Sequence, residues 1–487
     1  MEVKATEYDK LVSTREPYLT RARRCAELTI PSVFPQEGDT TASDFVIPYQ
    51  GTGARAVKSL ASKLLTALFP ANTNFFQLIP DNAKSYAASQ GDLAKGLADI
   101  ERMVGVRVEQ KAMRTPLYEA LKQLIIGGNT LLYIGKDKVR VFRLDKYVVQ
   151  RDGEGDVYRT IVKERLRISA LPEATQTLVK QDASNEDYCD VFTYIERQPN
   201  GSWKAHQKAD GHIVEGSAST YPKGKNPWLA LRMLAVDGED YGRSYAEEHI
   251  GDLYTLEMLS KALTEGTLAA SRVLFLVRAN STINIANLKS APNGGFVQGS
   301  EEEVKALQLN KYADFSVAAN EKAELERNIA ASFMMVKSAQ RNAERVTAEE
   351  FRTLTAELEA TLGGVYSLLA TELQLPLVSI ILARLEKENQ IDALPDGIKP
   401  HILTGVDALG RSAELSKIGT LFQYLQPLGQ DAIAENVNVD ELVKRLAAAL
   451  GMDTEKLVPT AEEKEAKAKQ AQEQQMMQQA VPQMMKA

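Results

Sequence analysis

The sequence predicts an α+β chain that is mainly helical, and three observations carry the prediction. Apolar residues spaced three and four apart run through most of the chain. Between residues 129 and 236 the period shifts to short β-branched and aromatic runs. Two helical stretches, from Ser244 to about Ala270 and at about 315–333, bracket an interval of mixed pattern some 40 residues long. At 487 residues the chain is too long for one compact core, so two to four structural units are expected.

Taken in order, residues 5–28 read as a helix with Tyr8, Leu11, Val12, Tyr18, Ala22 and Leu28 apolar, ending before Pro31 and Pro35. After a polar loop, Val57, Leu60, Ala61, Leu64 and Leu68 follow the helical period and must stop by Phe69-Pro70. A helical pair covers 91–128, its second member carrying Leu117, Leu121, Leu124 and Ile125 and closing at Gly127-Gly128. Strands are then expected at 130–134, 139–142, 147–149 and 157–162 as a small antiparallel sheet, with more at 190–196, 203–206 and 229–234. The helix from Ser244 to about Ala270 places Ile250, Leu253, Leu256, Leu259 and Leu263 roughly one per turn.

The interval after that helix predicts strands at 273–278 and 296–297, a turn at Asn293-Gly294-Gly295 and an acidic helix start at Ser300–Glu303. A helix at about 315–333 runs back, so a small module is held at the tip of a helical stalk. Lys337, Arg341 and Arg345 then recur every four residues, opposed only by Glu344. Thr347 can cap a long helix whose first turn holds Glu349 and Glu350. Leu354, Leu358, Leu362, Val365, Leu368 and Leu369 give it one apolar stripe, and a bend is expected at Gly363-Gly364, at Pro376, or at both. Short helices are expected at 405–425, 430–435 and 438–450. The tail from Thr460 is rich in Ala, Lys, Glu, Gln and Met and too poor in apolar residues to fold alone.

Composition excludes several classes. A net charge of −7 argues against a protein that grips nucleic acid statically, though not against one past which a duplex slides. Cys25 and Cys189 form neither a disulfide framework nor a CxxC pair. The N-terminus lacks an apolar h-region and no window of about 18 apolar residues stands out, so neither secretion nor membrane spanning is expected. No phosphate loop exists, since Gly135-Lys136 and Gly224-Lys225 lack the earlier Gly and the following Ser or Thr. Gly51-Thr52-Gly53 has neither a preceding strand nor a third Gly. His206, His212, His249 and His401 are scattered; His206 and His212 read as exposed turn residues and His249 as a solvent-facing one. The acidic groups Asp237-Glu239-Asp240, Glu301-Glu302-Glu303 and Glu349-Glu350 sit at turns or helix starts, where capping explains them without metal. Neither catalytic residues, a cofactor nor a metal is therefore expected.

Several long stretches carry a resemblance: AELTIPSVFP (26–35), GARAVKSLASKLLTALFP (53–70), LYEALKQLIIGGNTLL (117–132), YVVQRD (147–152), DGEDYGRSY (237–245), ERVTAEE (344–350) and LEATLGGVYSLLATELQLP (358–376). Together they resemble the portal, or head-to-tail connector, proteins of short-tailed podoviruses of the Autographivirus type. The resemblance implies a homo-oligomeric ring of twelve subunits at the unique capsid vertex of the virion, made in the host cytoplasm, through which double-stranded DNA is packaged and ejected without sequence preference. It further implies wing (1–243, with the β-rich insert 129–236), stem (244–273 and 314–333), clip (274–313), tunnel loop (334–346), long wing helix (347–397), crown (398–457) and C-terminal barrel or tail (458–487). Its implied partners are the terminase large subunit, a tail adaptor, and the major capsid, scaffolding and internal core proteins, with no membrane.

On that footing Lys337, Arg341 and Arg345 are expected to face DNA from the tunnel loop, because cyclic symmetry turns each side chain near the axis into a ring. Arg278, Lys289 and Lys305 are expected to meet the motor or adaptor. A packaging enzyme, as terminase ATPase or nuclease, and a helical adaptor without a channel are the alternatives.

Overall fold

The structure, a computed structural model, describes residues 7–36, 38–39, 43–70, 74–80, 90–182, 187–270, 274–281, 283–292, 295–298, 300–307, 312–335, 358, 360–395 and 397–402. The chain divides into two units, one of residues 1–66, 112–342 and 371–380, the other of residues 67–111, 343–370 and 381–487.

Helices α1 (Glu7–Glu27) and α2 (Thr52–Leu68) open the chain, followed by β1 (Phe76–Pro80), α3 (Gln90–Gln110) and α4 (Arg114–Gly127). Strands β2 (Asn129–Ile134), β3 (Val139–Phe142), β4 (Tyr147–Arg151) and β5 (Val157–Arg167) come next, then α5 (Glu173–Asp182). The insert continues with β6 (Tyr188–Arg197), β7 (Trp203–Ala209), β8 (His212–Ile213), β9 (Ser219–Tyr221) and β10 (Trp228–Arg232). Helices α6 (Tyr245–Glu248) and α7 (Ile250–Ala270) lead to β11 (Leu274–Val277), α8 (Ile285–Ser290) and β12 (Val304–Leu307), and α9 (Tyr312–Ser332) returns. Last come α10 (Val365–Leu369), a π-helical turn (Ala370–Gln374), α11 (Leu375–Lys387) and β13 (Ile398–Ile402).

In the first unit the expected small sheet is in fact two. One has the order β10-β2-β3 and the other β4-β5-β6-β7-β8, with β9 pairing β7. The two differ in burial: β2 is buried along nearly its whole length and packs on α4, whereas β5 is buried at Thr160–Val162 and has exposed residues towards both ends. Helix α5, unforeseen within the insert, seats Val179 against Ile168, Leu171, Cys189 and Val191. At the centre, α4 buries Leu117, Leu121, Leu124 and Ile125, as its period requires. Its end is forced by geometry: Gly128 has φ +73, and a Cβ there would lie 2.5 Å from the Arg243 carbonyl carbon.

The stretch 237–245 packs against that end and is engaged almost residue by residue. The Asp240 carboxylate accepts from Arg151 N–H (2.6 Å), and the Tyr241 hydroxyl accepts from Val149 N–H (3.0 Å). The Asn129 side chain both donates to Gly242 O and accepts from Gly242 N–H, each at 2.7 Å. Ser244 caps α6 by accepting from Glu247 N–H. Its neighbour Cys25 is buried and free, and burial pushes its thiol up to about 11.

A buried ionic clamp ties residues 371–380 to β10 and β4. Glu372 accepts from Arg232 N–H (2.9 Å), from Arg232 Nε (2.9 Å) and from Arg232 Nη2 (2.7 Å), and its carboxylate lies 3.5 Å from Arg151 Nη1. The Arg151 guanidinium also donates to the carbonyls of Gly155, Ala230 and Asp240. Burial lowers the Arg151 pKa and Glu372 opposes that shift.

The long helix is interrupted at Gly363-Gly364, one of the two places where a bend is expected. Gly363, at φ +55, makes the turn before α10. At Pro376 the helix does not break but loosens beforehand into the π turn, which accommodates the missing N–H. Against expectation, 365–387 is apolar enough, by length and composition, to cross a membrane, yet 61% of its apolar window is buried within the protein.

The second unit holds a strand pair the sequence did not announce, β1 antiparallel to β13 with Leu78 opposite Pro400. Leu78 N–H donates to the buried Glu101 carboxylate (2.9 Å), so that pair faces away from the ladder and the proline removes no ladder bond. The Tyr366 hydroxyl donates to Ala67 O (2.9 Å). Thr347, the start of the long helix, the short helices beyond 405 and the tail lie outside the described residues.

Replacing Glu372 by Gln would leave the guanidinium of Arg232 buried without its counter-charge, and a loss of about 3 kcal/mol in unfolding free energy is expected. Joint replacement of Glu372 by Leu and Arg232 by Met should cost less than the sum of the single changes. An unfolding midpoint of Glu372→Gln equal to wild type would refute the clamp.

Candidate functional site: the helical hairpin and its tip

Helices α7 and α9 pack side by side and carry the β11–β12 ladder, with Leu274 opposite Leu307 and Val277 opposite Val304. Their spacing is set where Gly266 meets Phe315. A Cβ on Gly266 would stand 2.6 Å from the ring, closer than any real contact. Small against large at one crossing lets the two backbones approach.

The tip differs from the strands first expected. Residues 296–297 form no strand; the partner of β11 is β12, preceded by one 3₁₀ turn, Glu301–Glu303, in place of an acidic helix start. Val304–Leu307 pairs with Leu274–Val277 residue for residue, whereas Phe296 stands in a loop and is fully exposed at 104%. Arg278 N–H donates to Glu303 O (3.0 Å) and closes the ladder, and Ser281 Oγ donates to the Glu303 carboxylate (2.8 Å). Asn284 caps α8 by accepting from Ala286 and Asn287 N–H.

Of the residues singled out from sequence, Arg278, Lys289 and Lys305 are all exposed on this tip. Lys305 sits opposite Leu276, itself 55% exposed, and Lys289 lies in the last turn of α8, where a cation suits the helix dipole. Lys337, Arg341 and Arg345 lie outside the described residues. Exposed apolar side chains are frequent along the hairpin: Tyr254, Met258 and Leu268 on α7, Val317 on α9, and Leu276, Ile285 and Phe296 at the tip. Patches of this kind mark contact surfaces rather than pockets for chemistry.

His206, His212 and His249 are not the exposed residues the sequence suggested. His206 lies in β7, half-buried and stacked on Tyr194 (5.1 Å, 8°), and His249 packs against Tyr245 and Phe333. Only His401 is exposed among the four, and His212 is half-buried in β8. Among the described residues no group of three or more His, Cys, Asp or Glu could hold a metal ion. An open polar cavity of about 350 Å³ lies between residues 151–155 and 235–240. Three of the carboxylates lining it are engaged: Asp152 with Arg197 (2.5 Å), Glu239 with Arg243 (2.5 Å) and the Tyr18 hydroxyl (2.8 Å), and Asp240 with Arg151 N–H. The Arg197 bond lowers the Asp152 pKa, and the Arg243 bond lowers that of Glu239.

Fold and surface together define an assembly subunit, a β-containing body bearing a helical hairpin whose tip is apolar and charged. The profile described as bacteriophage head to tail connecting protein matches residues 4–458, and the chain belongs to that family. The portal protein of Escherichia phage T7 is 39% identical over 478 residues, covering 94% of this chain and 89% of the relative. That of Enterobacteria phage T3 is 38% identical over 477 residues, covering 95% and 89%. A solved structure titled "Neck of empty GTA particle computed with C6 symmetry" aligns over 83% of this chain and 91% of that one, at 14% identity and a TM-score of 0.39.

Gly266→Ala tests the hairpin. Alanine is favoured over glycine by about 1 kcal/mol in a helix interior, so any net loss measures the clash with Phe315. A net destabilisation of roughly 1 kcal/mol, relieved by adding Phe315→Leu, is expected in thermal unfolding. A melting point at or above wild type would show that this contact does not set the helix spacing.

Proposed function

We propose that this chain is a portal subunit: copies of it close into a ring at the unique vertex of a phage capsid, and the genome passes through that ring during packaging and ejection. One observation carries the reading, the relatedness to portal proteins over nearly the whole chain. The ring belongs to the virion, at the head-tail junction. We take twelve as the subunit number. The partners we assign are the terminase large subunit and a tail adaptor at the clip, and the major capsid, scaffolding and internal core proteins around the body. The ring also serves as an initiator of capsid assembly. No enzymatic step is assigned to it.

The proposed parts are wing, 1–243; stem, 244–273 and 314–333; clip, 274–313; tunnel loop, 334–346; long wing helix, 347–397; crown, 398–457; and tail, 458–487. The hairpin α7–α9 with its exposed tip supports the stem and clip assignment. Exposed Arg278, Lys289 and Lys305 make the clip a plausible dock for the motor or adaptor.

Electrostatics gives the conduit its logic. A chain of net charge −7, repeated around an axis, builds an acidic assembly, and duplex DNA carries one negative charge per about 1.7 Å. Mutual repulsion keeps the duplex sliding. Lys337, Arg341 and Arg345, repeated in every subunit, form the few basic rings able to centre or brake it.

Native mass spectrometry of the purified chain should give a closed ring, and negative-stain images should show an axial hole. A stable monomer at high concentration would defeat the portal reading. Arg341→Glu should leave the ring intact and release packaged DNA more readily; unchanged retention would remove the DNA role from that residue.

A further inference from the structure

The segment 43–50, SDFVIPYQ, has no regular structure and is held against α7. The Glu257 carboxylate pins it, accepting from Tyr49 N–H (2.9 Å) with one oxygen and from Gln50 N–H (3.2 Å) with the other. One turn along the helix, the Lys261 ammonium stands 5.9 Å from the centre of the Tyr49 ring. Gln50 is buried and anchors the end of the segment, its side chain donating to Leu28 O (2.7 Å) and accepting from Gly53 N–H (2.8 Å). Just ahead of these fastenings, Val46 and Ile47 are each 83% exposed. Pinning a segment costs conformational entropy, and here it leaves two adjacent aliphatic side chains in water.

Helix α7 adds to the same surface. Tyr254, Met258 and Lys261 are spaced i, i+4, i+7 beside Glu257 and are all exposed, on the side of the helix away from its buried Leu253, Leu256 and Ser260. Helix α9 carries a second stripe of the same spacing, Val317, Glu321 and Glu324, also exposed and turned away from the buried Ile329. The crossing of Gly266 with Phe315 sets their heights, since Lys261 lies five residues before Gly266 and Glu321 six after Phe315 on the returning helix. One outer side of the hairpin is therefore apolar with a cation, and the other is apolar with two carboxylates at a matching height.

We propose that these two surfaces are the halves of one contact between copies of this chain: Val46, Ile47 and the α7 stripe of one copy receive the α9 stripe of the next, with Lys261 against the neighbour's Glu321 and Glu324. The proposal rests on the ring reading and names the faces that meet along the hairpin. Two different faces on the two helices of one hairpin make a heterologous contact, the kind that closes into a ring. Charge favours a second copy as the occupant. Nucleic acid would find a single lysine on the α7 stripe and two carboxylates on the α9 stripe, whereas another copy supplies both an apolar side chain and the opposite charge.

Val46→Asp combined with Ile47→Asp alters side chains that already stand in water, so thermal unfolding of the unassembled full-length chain should match wild type. The concentration at which rings half-assemble, read by native mass spectrometry, should rise about tenfold. Lys261→Glu should also weaken assembly, and Glu321→Lys with Glu324→Lys in the same chain should restore it. A cross-link needs no charge change: a mixture of Met258→Cys chains and Glu321→Cys chains should be joined copy to copy by a short bismaleimide, and neither variant should be joined alone, the native Cys25 and Cys189 being buried. Wild-type assembly by the double Asp variant, charge reversal without restoration, or assembled rings that do not cross-link would each overturn the proposal. A wild-type chain that stays monomeric overturns the ring reading instead, and that result is seen before any variant is made.

Discussion

The Glu372 carboxylate is the constraint on which the body depends. A helical run faced with Leu, Val and Ile can slide by a turn at small cost, because one apolar side chain substitutes for another. A buried carboxylate that must accept a main-chain N–H and a guanidinium from the same Arg232 cannot slide at all. The desolvation of three charged groups is steep, and only completed bonding offsets it. Arg151 meets that condition by donating to three carbonyls besides its ion pair. The π turn belongs to the same solution: it absorbs the irregularity before Pro376 in the very stretch that carries Glu372.

From that anchor the order spreads through residues 237–245, which share Arg151 with the clamp through Asp240. A stretch of acidic, aromatic and glycine residues has the look of a ligand-binding loop when read in isolation. Here its groups are occupied in holding α4, β4 and α6 together, and in the cavity beside it Asp152 and Glu239 are paired with arginines. Abundant polar residues at one place are thus compatible with a purely architectural part.

Local physics explains what was legible in the sequence. Helices α2 and α4 follow from the spacing of their leucines and from the Pro and Gly that end them, and β5 and β6 from their β-branched and aromatic runs. Periodicity says which face is covered and is silent on what covers it. So β1 and β13 escaped notice, being short and more than three hundred residues apart, and the splitting of the insert into two sheets was hidden in pairing rather than in pattern. Glu372 looked like one more polar position on a long helix, because its partners at Arg151 and Arg232 lie far away in sequence. His249 was read as solvent-facing for the same reason: the Phe333 that shelters it belongs to another helix.

The hairpin shows how a subunit can be folded and still incomplete. Its two helices meet at the tight crossing of Gly266 with Phe315. Its outer residues, Met258, Leu268 and Val317 on the helices and Ile285 and Phe296 at the tip, remain in water. Apolar area left exposed at this density is unfavourable for an isolated chain and becomes favourable once covered. Cyclic closure covers such area by setting one face of a subunit against a different face of the next, so each copy both gives and receives the same contact. In a ring, tight packing within the hairpin matters beyond one chain, because an error in the spacing of α7 and α9 would be repeated in every copy around the axis.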